Sequence, residues 1–134
     1  MTKESDIEKL LKYMSPKLCS EEYVFCTVKN ARYGDYAEAE PLASFVEKEG
    51  LSLVLVRKSA DKYDMYYEGI FKCITLEVHS DLQAVGLTAA VSGRLCENNI
   101  SANVIAGFFH DHIFVPAESA EKALNVLSEF SVQS

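Results

Sequence analysis

No Cys-x-x-Cys pair occurs in this 134-residue sequence, whose four cysteines, Cys19, Cys26, Cys73 and Cys96, stand 7, 47 and 23 positions apart. That spacing matches no common zinc or redox motif. Cys26 and Cys73 fall in apolar, strand-like runs and Cys96 in a helical one, where free cysteine behaves as a small hydrophobe. Reduced, mostly buried cysteines and a cytoplasmic location are the expectation. A basic face is missing too. Lys and Arg number 13 against 20 Asp and Glu, the formal net charge is -7, and apart from Arg57-Lys58 the basic residues are scattered singly. Nucleic acid and anionic membrane are therefore poor partners. No apolar run reaches membrane-spanning length. The opening "MTKESDIEKLLKYM" lacks the basic start and continuous apolar core of a signal peptide.

What is present, 49% hydrophobic residues, suffices for one compact domain or two very small ones sharing a core. Ile7, Leu10, Leu11 and Met14 follow helical spacing before Ser15-Pro16 and predict a short amphipathic helix. "EYVFCTV", residues 22–28, reads as a strand and the polar stretch after it as a loop. Pro41 is expected to open a short helix with Leu42, Phe45 and Val46 on one face, closed by Gly50, and "LSLVLVR" is a buried strand. The polar "KSADKYDMYYEG" then separates two halves, 1–64 and 65–134. The second half reads as strand "IFKCITLEVHS", helix "GLTAAVSGRLCENN" with an Asn pair suited to a left-handed cap, strands "ISANVIAGF" and "HIFVP", and a last amphipathic helix. This β-α-β-β-α order is a ferredoxin-like α+β sandwich short of one strand. The first half can supply that strand, most simply residues 22–28, so that the two halves share a sheet or core.

The same order gathers polar residues. His79, the helix start at Gly86-Leu87-Thr88 and the His110-Asp111 turn are expected on one edge of the sheet. Three chemistries compete there. A metal site would draw on His79, His110, Asp111 and His112, although residues straddling a turn need not converge. An acid-base site has histidine but no nucleophile, phosphate loop or second carboxylate spaced to join it. A pocket for a small zwitterion would set backbone N–H groups of a helix start against a carboxylate. Asp111 would accept from an ammonium group, with Ser101 and Asn103 adding polar contacts. That last reading depends on where the helix starts, because Ser80 to Gln83 also has capping-box spacing and would make Gly86 internal. Each residue also has a plainer role: Gly86 and Gly93 can ease helix packing, Asp111 can simply form the turn, and the phenylalanines can be core or interface. Tyr63, Met65, Tyr66 and Tyr67 can cover the junction between the halves or form an adhesive patch for a second subunit.

The run "VGLTAAVSGRLCENNISANVIAGFFHDHIFVPAESAEKALNVL", with "EYVFCTV", "EKEGLSLVLV" and "ITLEVHSDLQAVGLT", resembles the ACT regulatory domain over nearly the whole chain. It is similar to small stand-alone bacterial proteins with two ACT-like halves, and to the ACT pairs of aspartate kinases and cytosolic arginine sensors. The resemblance implies an amino-acid-binding regulatory module that needs no cofactor and is not an enzyme. It also implies a homodimer, with any regulated protein a partner in trans. Position by position, Gly86, Leu87 and Thr88 match the helix start, Ser101, Asn103 and Val104 the second strand, and Asp111 the hairpin. Ala84 departs from the pattern where related sensors can carry an acidic contact, which leaves the ligand's identity open.

Overall fold

A computed structural model describes residues 3–77 and 86–132. It contains helix α1 (Lys3–Lys12), strand β1 (Pro16–Val28), strands β2 (Ala43–Glu47) and β3 (Gly50–Val56), and helix α2 (Arg57–Lys62). Strand β4 (Phe71–Leu76), helix α3 (Leu87–Glu97), strands β5 (Asn103–Ala106) and β6 (Asp111–Pro116) and helix α4 (Ala120–Val132) follow. Compaction does not follow chain order. One unit combines the chain up to Cys19 with Lys72 onward, and a second comprises Ser20–Phe71.

In the Ser20–Phe71 unit the strand order is β2-β3-β1, all antiparallel. Register explains the core: Val24 faces Leu55 and Cys26 faces Leu53, so one face of the pleat is continuously apolar and buried. Ala60 of α2 joins this core, and Tyr63, Met65 and Tyr67 pack against it, whereas Tyr66 is exposed. The expected helix after Pro41 is strand β2 instead. Its five residues pair with β3 through a two-residue turn at Lys48-Glu49, from Glu47 opposite Gly50 to Ala43 opposite Val54. Leu42, Phe45 and Val46 imitate one helical face by spacing, but five residues are too few for a stable helix when a partner strand lies alongside. A β-carbon at Gly50 would lie 2.9 Å from the Val28 carbonyl oxygen, so that position admits only glycine without a shift. Helix α2, in a stretch read as loop, is held by Arg57, which donates to Glu22 at 3.0 Å and to the Tyr67 hydroxyl at 3.2 Å.

In the other unit the order is β1-β4-β6-β5, a ferredoxin-like α+β arrangement. The strand missing from the β-α-β-β-α pattern does come from the N-terminal half. The residues that supply it, Pro16–Cys19, lie upstream of the predicted strand, at the start of β1. Alternation along β4 and β6 sends Ile74, Leu76, Ile113 and Val115 to the helix-covered face, against Leu95 of α3 and Leu127 of α4, all fully buried. Each such side chain contributes roughly 1.5–3 kcal/mol of burial. Helix α3 ends as its Asn pair predicts: Asn99 has φ 61°, its N–H donates to the Cys96 carbonyl, and the Ile100 N–H reaches back to Leu95 at 3.0 Å. Arg94 lies over the Phe130 ring at 4.2 Å and pairs with Glu129, tying α3 to α4. Cys96, expected to be a buried hydrophobe, is exposed; Cys26 and Cys73 are buried, Cys19 is half-buried, and all four are free.

Candidate functional site

Helix α3 starts at Leu87, directly after Gly86. Gly86 is its N-cap, with φ 104°, a left-handed value that glycine adopts without penalty, and its carbonyl accepts the first helical hydrogen bond from Ala90 at 2.9 Å. The N–H groups of Leu87, Thr88 and Ala89 then have no acceptor within the helix, and Gly86 has no side chain to cap them. Leu87 is buried and anchors the turn, while Thr88 is exposed. The rival capping box at Ser80–Gln83, together with His79 and Ala84, lies outside the described residues.

The hairpin supplies the second element. Antiparallel register sets Ala106 opposite Asp111, Ile105 opposite His112, Val104 opposite Ile113 and Asn103 opposite Phe114. The turn closes through a bond from the Gly107 N–H to the His110 carbonyl at 2.9 Å. Phe108 and Phe109, at 71% and 64% exposure, stack edge to face on its tip, whereas Phe114 is fully buried. Asp111, the first residue of β6, is half-buried. His110 Nδ1 is buried and finds no hydrogen-bond partner among the described residues. His112 is bound to the sheet: its Nδ1 lies 3.0 Å from the Thr75 hydroxyl. Burial lowers the His112 pKa and the neighbouring His110 lowers it further, with Asp111 opposing, so the ring favours its neutral form.

The Thr75–His112 contact sets the end of β4 beside the hairpin turn, as the strand order implied. Ser101, Asn103 and Val104 are placed differently. Ser101 is exposed just past the C-terminal turn of α3, one helix length, about 16 Å, from Gly86. Asn103 is exposed and lies three residues along the ladder from the Ala106–Asp111 pair, about 10 Å. Val104 is half-buried beside it. Within one chain Ser101 thus lies away from Gly86, and Asn103 away from Asp111. Among the described residues no three metal-binding side chains come together. Sequence reasoning passed over Thr75, which touches His112 and lies 3.8 Å from the sulfurs of both Cys19 and Cys73. Only strand register brings those residues together, although the alternation of Cys73 and Thr75 on one face was visible.

Two models of the ACT domain family match the chain, over residues 2–72 and 69–129. Among solved structures, a Vibrio cholerae protein of unknown function, described as a possible transport protein, is 50% identical with TM-score 0.87, over 97% of this chain and 99% of its own. Escherichia coli aspartokinase III, in complex with aspartate and ADP, shares the fold at 13% identity and TM-score 0.65, over 91% of this chain and 34% of its own. The ligand-free regulatory subunit of Thermus thermophilus aspartate kinase does so at 10% identity and TM-score 0.64, over 88% of this chain and 97% of its own. No curated protein matches. Two successive family matches, on a sheet whose strands and helices have the ferredoxin-like arrangement, establish that the chain belongs to the ACT domain family.

Proposed function

We propose that this protein is a non-catalytic, cytoplasmic regulatory module that binds a small molecule, an amino acid by class, as a homodimer and acts in trans on a separate protein. The observation that carries the reading is the start of α3: a left-handed Gly86 followed by main-chain N–H groups with no helical acceptor, suited to a carboxylate. Asp111 supplies the complementary charge for an ammonium group. Ser101, Asn103 and Val104 lie at the far end of α3 and of the hairpin, and we assign them to the same ligand from a second copy. The similarity to an aspartate kinase regulatory subunit, and to an aspartokinase holding aspartate, supports the ligand class.

The test is thermal unfolding against each of the twenty L-amino acids, since a ligand of the folded state alone raises the midpoint. One or two amino acids should raise it. Asp111→Ala should retain the fold and lose most of that rise. A second reading, an assembly module without ligand, is favoured by exposed Phe45, Val46, Phe108 and Phe109. Absence of any shift, with a concentration-dependent midpoint, would establish that reading instead.

A further inference from the structure

We infer that Cys19 and Cys73 form an oxidisable dithiol, in which a peroxide is reduced at Cys19 and Cys73 then closes a disulfide between neighbouring strands β1 and β4. The two cysteines lie on strands that neighbour each other in the sheet. Both sulfurs lie 3.8 Å from one atom, the Thr75 hydroxyl oxygen. The two thiols differ in access: Cys19 is half-buried, whereas Cys73 is fully enclosed. That division suits a first thiol that meets the oxidant and a second that responds only to the first.

The chemistry balances with a hydroperoxide as oxidant. The Cys19 sulfur attacks the peroxide, the O–O bond breaks, an S–O bond forms, and an alcohol or water leaves, giving a sulfenic acid. The Cys73 sulfur then attacks Cys19, an S–S bond replaces the S–O bond, and the hydroxyl leaves as water, taking up one proton for the one that Cys73 releases. Burial, with the charge of Cys19 adding to it, pushes the Cys73 thiol up to about 12, so it stays protonated in the reduced pair. Its proton has a path outward. The Thr75 hydroxyl bridges Cys73 Sγ, at 3.8 Å, to His112 Nδ1, at 3.0 Å, and the neutral ring that burial favours accepts there. Thr75 and His112 are positioning residues for this step.

The test treats the full-length protein with hydrogen peroxide, quenches in denaturant with an alkylating reagent, and reads intact mass and linked peptides. The expected result is loss of two hydrogens per chain and a Cys19–Cys73 linked peptide, unchanged in Cys26→Ser and Cys96→Ser. In Cys73→Ala, a sulfenic-acid probe should mark Cys19 and no disulfide should form. Thr75→Val should close several-fold more slowly, with Thr75→Ser restoring the rate. No linked peptide in the parent, a link to Cys26 or Cys96, or closure in Thr75→Val at the parent's rate would overturn the assignment.

Discussion

His112 joins a titratable ring to the fold through a neutral contact with Thr75, and its pH behaviour follows in sign. Its pKa in the folded chain lies below the unfolded value near 6.5, so the unfolded state binds the proton more readily. The stabilisation is present above 6.5 and is lost as pH falls through the lowered folded value. Urea unfolding should therefore show a loss of stability from pH 7 to pH 5 that is smaller in His112→Gln. Asp111→Asn removes the charge that opposes the shift, so it should lower the His112 midpoint further, as a ring proton titration by NMR would read. Gly86 and Asp111 were legible as candidates because glycine before an apolar helix and aspartate in a turn carry local meaning. The separation of Ser101 and Asn103 from them was not, because it depends on the length of α3 and on hairpin register rather than on any one residue type.

At the level of elements, glycine identity separates two cases. In α3, Gly93 has nothing within 4 Å of the place a β-carbon would occupy. Gly93→Ala should stabilise the protein by about 0.5–1 kcal/mol through helix propensity and a less flexible unfolded chain. Gly50→Ala should destabilise by roughly 1–3 kcal/mol, since its methyl group meets the β1 backbone in overpacked space. Denaturant midpoints at constant slope test both. Asn99 holds the left-handed end of α3, so Asn99→Ala should cost about 1 kcal/mol and Asn99→Gly little or nothing. The helices and strands of the second half were readable because capping residues, alternation and an amphipathic stripe all agree there. Strand β2 was misread because five residues with apolar positions at i, i+3 and i+4 satisfy a helical template, and only its pairing with β3 decides the matter. The first residues of β1 were missed because Pro16 and Lys17 give no strand signal, while pairing makes them an edge.

For the molecule as a whole, the Cys19–Cys73 inference carries a stability consequence. A disulfide there closes everything from Ser20 to Lys72 into one covalent loop, worth about 4 kcal/mol on the loop-entropy model before any strain is subtracted. The oxidised parent should unfold at a higher temperature than the reduced parent, and Cys73→Ala should show no such difference. The discontinuous unit matters also at birth. The segment that forms its edge, Pro16–Cys19, leaves the ribosome early, but its partner β4 is not yet made, and the intervening Ser20–Phe71 is contiguous. A nascent chain can thus close its middle first, while helix α1 and the opening of β1 wait for the C-terminal segments to arrive. The segment up to Cys19, synthesised before the middle of the chain, is seated after it.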